Sequence, residues 1–96
     1  KDVVTTPVVA PGCTSVWAQY TIRSPRRDRI AAHLQAQKIS TAVFYPKPIH
    51  VQPPYRGHPV VTGGLPVTEK LAQDVLSLPM HPYQDIIIAA VRAALA

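Results

Sequence analysis

The last stretch of the chain places the hardest constraint on its fold. Residues 85–95 have the length and composition of a helix, with Asp85 able to cap its start. After Asp85, Arg92 is the only charge among Ile86, Ile87, Ile88, Ala89, Ala90, Val91, Ala93, Ala94 and Leu95. A helix that is apolar on every side has to be covered on every side. The chain has 96 residues, and a domain of that size buries somewhat over ~60% of the surface its unfolded chain exposes. It has no interior wide enough to surround a helix. One face is expected to pack on the chain's own core, and the other on a partner chain or a further domain. Composition points the same way: charged residues are 16% of the chain, against about 25% in an average soluble domain.

Several function classes are excluded. No apolar run reaches the ~18 residues of a membrane span, and Lys1-Asp2-Val3-Val4 is not the start of a signal peptide. The single Cys13 forms no internal disulfide, which suits a reducing cytosol. The net charge is +5, and Arg23, Arg26, Arg27 and Arg29 fall within seven positions. They suggest an anion-binding surface, but no aromatic residue is interleaved and no nucleic-acid motif surrounds them. The expectation is no membrane and no nucleic acid. Thr62-Gly63-Gly64 is a turn rather than a phosphate loop. His33, His50, His58 and His81 show no metal-ligand spacing, the five carboxylates are scattered, and no serine sits on a G-x-S-x-G elbow. Neither a metal site nor a catalytic residue is expected.

Along the chain, residues 1–14 read as an extended lead-in with a turn at Pro11-Gly12. Residues 15–23 alternate, with Val16, Ala18, Tyr20 and Ile22 on one face, and read as a half-buried strand. Trp17 stands on the more polar face, as if to cover the sheet edge or meet another domain. Ser24-Pro25 starts a helix over 25–37 with Ile30 and Leu34 on its inner face. Arg26 and Arg27 lie in its first turn, where the helix dipole disfavours cations, and a solvated turn is expected there over an anion site. Residues 38–45 read as a strand covered on both faces. Pro46, Pro48, Pro53 and Pro54 then forbid helix and sheet interior alike, leaving a stiff loop. A helix over 66–75 carries Val67, Leu71 and Val75, and Leu76-Ser77-Leu78-Pro79 is extended. The fold class is α+β: a small, mainly antiparallel sheet with helices packed on one face.

Tyr45 and His50 flank the first part of the proline track. A phenol and an imidazole on a rigid loop can donate hydrogen bonds to phosphate, sugar or carboxylate groups. Equally, Tyr45 can belong to the core and His50 can cap local carbonyls. The spacing alone leaves the two readings level.

Five stretches occur in order: Val16-Trp17-Ala18-Gln19-Tyr20-Thr21-Ile22; Arg27-Asp28; Ser40-Thr41-Ala42-Val43-Phe44-Tyr45-Pro46-Lys47-Pro48-Ile49-His50-Val51-Gln52; Leu65-Pro66-Val67-Thr68-Glu69-Lys70-Leu71-Ala72; and Val75-Leu76-Ser77-Leu78-Pro79-Met80-His81-Pro82. Together they resemble the C-terminal domain of the DegT/DnrJ/StrS family of sugar aminotransferases, bacterial pyridoxal phosphate enzymes of aminotransferase fold type I. The resemblance covers nearly the whole chain. It implies that 1–96 is the small domain of such an enzyme, with a large domain absent. It further implies an enzyme that moves an amino group, usually from glutamate, onto a keto carbon of a nucleotide-linked sugar, in the cytoplasm and as a homodimer, in the making of polysaccharides and related sugars.

The cofactor of the family forms a Schiff base with a lysine of the large domain. Lys1, Lys38, Lys47 and Lys70 do not lie in that motif, so the chain alone is expected to be inactive and to carry no cofactor. Tyr45, His50 and Gln52 correspond to the small domain's contribution to the substrate side, with Tyr55 a weaker neighbour. Phe44 departs from the pattern, since many members have His there. The join from His81-Pro82 through Tyr83 to Gln84 is also shorter than usual. Either the protein has a true deletion there or a polar loop is left out between Tyr83 and Gln84; the second is favoured, and a Cα distance well above about 3.8 Å would show it. The competing reading of the chain is a stand-alone interaction module that keeps the fold and binds a partner through its last helix.

Overall fold

A computed structural model of the chain describes residues 3–81 and 84–96. Its elements run β1 (Tyr20–Arg23), α1 (Arg27–Ala36), two 3₁₀ turns (Ile49–Val51 and Pro53–Tyr55), α2 (Pro66–Asp74), β2 (Val75–Leu78) and α3 (Asp85–Leu95). The Tyr83–Gln84 join falls outside the described residues.

β1 and β2 pair antiparallel, with Tyr20 opposite Leu78 and Ile22 opposite Leu76. These four side chains share a face, because successive strand residues alternate. Single bridges widen the sheet on both sides: Thr5 pairs with Arg23, and Ala42 pairs with Ser77. The sheet thus reads as four antiparallel segments with β1 and β2 at the centre. α1 and α3 cover the Tyr20–Leu78 face. Ile22, Ile30, Leu34, Leu76 and Ala90 form the buried core, ringed by Val4, Tyr20, Ile39, Val43, Leu78 and Val91. On the opposite face, Thr21 Oγ1 and Ser77 Oγ lie 2.8 Å apart. The α+β class with helices on one face of an antiparallel sheet is therefore the observed architecture.

Three expectations need correction. The first strand begins at Tyr20, not at residue 15. Trp17 has φ of 48°, in the left-handed region that breaks an extended run. The alternation is lost there: Val16 is 95% exposed, and the Trp17 ring folds over to lie 4.9 Å from that of Tyr20. Second, residues 38–45 form no strand beyond the Ala42 bridge. This segment is the outermost of the sheet, and Pro46 follows with no N–H to extend the ladder. Ile39 and Val43 reach the core, but Phe44 and Tyr45 are exposed, so the strand is not covered on both faces. Third, Val67 is exposed, and the helix that carries it ends at Asp74, where β2 starts.

The arginines at the start of α1 are half-buried rather than fully solvated, and each reaches a carbonyl of another element in addition to the Arg27–Asp28 ion pair. Arg26 Nη2 donates to the Leu95 carbonyl at the end of α3 (3.4 Å). Arg27 Nη1 donates to the Ala72 carbonyl in the last turn of α2 and to the Val75 carbonyl at the start of β2 (3.0 and 3.3 Å). Through Leu95 and Ala72, both cations thus satisfy orphan carbonyls at the negative ends of other helices. Ser24 is buried, accepts from Arg26 N–H (3.1 Å) and donates to the Val3 carbonyl (2.7 Å). It ties the lead-in to the start of α1, which begins at Arg27 after the Ser24-Pro25 turn.

α3 spans the residues its pattern predicts. Ala90 is buried and Val91 half-buried, whereas Ile86 is 80% and Ile88 44% exposed. Its outer face is left uncovered. Ile86→Glu is therefore expected to change the chain's stability by no more than about 0.5 kcal/mol. Ala90→Leu, which overfills a closed site, should cost about 1–3 kcal/mol. Urea midpoints of the two variants check the contrast.

Candidate functional site

The proline segment is rigid through its own hydrogen bonds. Val51 N–H donates to the Pro48 carbonyl (3.2 Å), Gln52 N–H to the Ile49 carbonyl (3.0 Å) and Tyr55 N–H to the Gln52 carbonyl (2.9 Å). Two side chains reinforce it: Gln52 Nε2 donates to the Lys47 carbonyl (2.9 Å), and Arg56 Nε donates to the Val51 carbonyl (2.9 Å). Proline supplies fixed φ angles and the 3₁₀ bonds supply the turns. The segment lies against α2, and two hollows open along this contact.

The first hollow, of about 340 Å³, is lined by Leu71, Ala72 and Val75 from α2 and the start of β2, and by Phe44, Tyr45 and Lys47 from the segment around Pro46. Gln52 also lines it. The second, of about 440 Å³, is bordered by His50, Tyr55, His58 and Leu65. Ile49 and Thr68 belong to both hollows. Tyr45 and Gln52 are thus together, and His50 stands next door beyond a shared wall.

Tyr45 is 72% exposed, which removes the reading in which it belongs to the core. His50 Nε2 lies 2.8 Å from Glu69 Oε1, and its side chain is 15% exposed. It caps no carbonyl through that nitrogen; its partner is a carboxylate on α2. The lining of the first hollow combines apolar side chains with a phenol, an ammonium and an amide. Such a lining suits a ligand with a flat or apolar part and a polar or anionic part. In the sequence Lys47 stands out only as a Schiff-base candidate, and Glu69 only as one of five scattered carboxylates. Lys47 could have been found from its place between Pro46 and Pro48, on the segment that carries Tyr45.

Three of the four clustered arginines are used inside the domain. Arg26 and Arg27 hold helix ends, and Arg23 Nη2 lies 3.8 Å from Asp74 Oδ2. Buried Asp74 also takes Lys70 Nζ at 3.0 Å. Among the described residues, no group of three or more His, Cys, Asp or Glu could hold a metal ion. No helix among them is long and apolar enough to cross a membrane.

The described residues do not fit a pyridoxal phosphate site. Lys70 is committed to Asp74, and Lys38 is exposed just past the end of α1. Lys47 borders a hollow whose lining offers no carboxylate for a pyridine nitrogen and no second cation for a phosphate.

The sequence profile of the DegT/DnrJ/EryC1/StrS aminotransferase family matches residues 1–89. A pleiotropic regulatory protein of Geobacillus stearothermophilus is 47% identical over 81 residues, 84% of this chain and 22% of that protein. A dTDP-3-amino-3,4,6-trideoxy-alpha-D-glucose transaminase of Streptomyces venezuelae is 44% identical over 79 residues, 82% of this chain and 21% of that protein. The crystal structure of a DegT DnrJ EryC1 StrS aminotransferase from Brucella abortus superposes with a TM-score of 0.84 at 47% identity, covering 95% of this chain and 26% of that one. The chain thus spans about a fifth of the length of these curated relatives. In sequence and in fold alike, it belongs to the DegT/DnrJ/EryC1/StrS aminotransferase family.

Proposed function

We propose that the chain is the C-terminal small domain of a pyridoxal phosphate-dependent aminotransferase that transfers an amino group, with glutamate as donor, to a keto sugar carried on a nucleotide. Tyr45, His50 and Gln52 line the substrate side of its active site. The observation that carries this reading is the 44% identity, over most of the chain, to a transaminase acting on a dTDP-linked sugar. Tyr45 and Gln52 offer hydrogen-bonding groups in the lining of a largely apolar hollow, and Lys47 adds a positive charge there. A sugar nucleotide has hydroxyls and phosphates for these groups and a base for the apolar side chains.

The cofactor supplies the electron sink of the reaction and is held by residues of a large domain outside this chain. In this reading the uncovered outer face of α3 packs on that domain or on the second copy of a homodimer, and the enzyme works in the cytoplasm. The decisive experiment is the cofactor absorbance spectrum of the intact gene product. It should change on adding glutamate and revert on adding a keto sugar nucleotide. The chain alone should give no borohydride-reducible adduct with pyridoxal phosphate, and an adduct on it would overturn the division of labour proposed here.

One observation favours a second reading, a stand-alone interaction module. Ile87, Ile88 and Val91 of α3 border an apolar hollow of about 600 Å³ together with Trp17 and Tyr20. An intact gene product with no cofactor spectrum would favour that module over the enzyme.

A further inference from the structure

Glu69 joins two elements that are otherwise far apart in the chain. It lies in the first turn of α2, and its partner His50 lies in the first 3₁₀ turn, 19 positions earlier. The residues just before them, Ile49 and Thr68, are the two shared by both hollows. The His50–Glu69 bond therefore sits at the wall between the hollows. The proline segment is held together by its own hydrogen bonds. Its attachment to α2 then bears on how Lys47 and Gln52 stand relative to Leu71 and Ala72, which line the same hollow.

We infer that Glu69 is a positioning residue: by holding His50 Nε2 it fixes residues 46–56 against α2 and sets the width of the hollow that Tyr45 and Gln52 line. The bond also commits Nε2, so a hydrogen bond from His50 to a ligand must use Nδ1. The functional half of the inference rests on the reading of these residues as facing the sugar nucleotide.

The test uses the intact gene product with two variants, Glu69→Ala and Glu69→Gln. Glu69 is half exposed, so Glu69→Ala is expected to fold. Hydrogen exchange should rise about fivefold or more in peptides covering 46–56 and stay unchanged over α1, since a hydrogen bond to a charged group is lost at one place only. KM for the sugar nucleotide should rise about tenfold with kcat within about twofold, the pattern of lost binding geometry. The Gln amide oxygen still accepts from Nε2–H, so Glu69→Gln should restore both readouts. Unchanged exchange over 46–56 in Glu69→Ala overturns the inference. Raised exchange with unchanged KM overturns its functional half. If the unmodified protein converts no sugar nucleotide, the proposed substrate fails, and the exchange result alone decides the role of Glu69.

Discussion

Leu34→Ala is expected to remove about 2–5 kcal/mol of folding stability, the cost of a deleted side chain plus the cavity it leaves. Leu34 is fully buried, and it packs with Ile22, Ile30, Leu76 and Ala90 in the hydrophobic core. Domains have about 5–15 kcal/mol in all, so this change alone brings a chain of this size to the edge of unfolding. Leu34→Met keeps the volume and should cost less than about 1.5 kcal/mol. Urea titration followed by circular dichroism separates the two. A Leu34→Ala midpoint as close to the parent's as that expected for Ile86→Glu would show that the core lies elsewhere.

Arg27→Ala is the second large effect, and its size depends on which of its bonds matters. The shortest is the Nε bond to Asp28 Oδ1, at 2.6 Å. Asp28 is exposed, and ion pairs at the surface are worth about 0–1 kcal/mol. The bonds to the Ala72 and Val75 carbonyls are longer, but they come from a side chain that is mostly buried. A hydrogen bond from a charged group is worth about 1.5–3 kcal/mol, and its loss leaves carbonyls unsatisfied. Arg27→Ala should therefore cost about 2–3 kcal/mol, on the scale of those bonds. Asp28→Asn should cost less than about 1 kcal/mol even with its favourable place in the first turn included. Equal losses from the two substitutions would mean that the short ion pair, not the helix end, is what Arg27 serves.

Where local pattern and tertiary packing agree, the sequence was enough to locate the element. α3 occupies the predicted residues because its apolar run is bounded by Asp85 before it. Ile30 and Leu34 are inward because their spacing allows a single inner face. The extended piece after α2 became β2. Patterns failed where one residue departed from its neighbours' backbone, as Trp17 does, and where an edge segment lacked a second partner, as residues 38–45 do. The proline track was legible as a stiff loop, and Tyr45 and Gln52 were legible as its side chains. The Glu69 contact was not. A glutamate three residues after Pro66, in the first turn of a helix, already has a sufficient local reason to be there. Nothing in the spacing of His50 points to it, and the same holds for Arg26 and Arg27, whose carbonyl partners lie 45 or more positions away.

The central position of β2 also governs when the domain can assemble. Thr21 and Ser77 are 56 positions apart, and Ala42 waits for the same Ser77. Of the strand contacts among the described residues, only the bridge between Thr5 and Arg23 can close before β2 has been synthesised. The entropy of closing these long loops must be met before their pairings return anything. Until Leu78 has emerged, Ile22, Ile30 and Leu34 have no sheet to pack against. The first three-quarters of the chain is thus a stretch in which apolar surface is held open during synthesis, and a pause before residue 75 would prolong its exposure to aggregation.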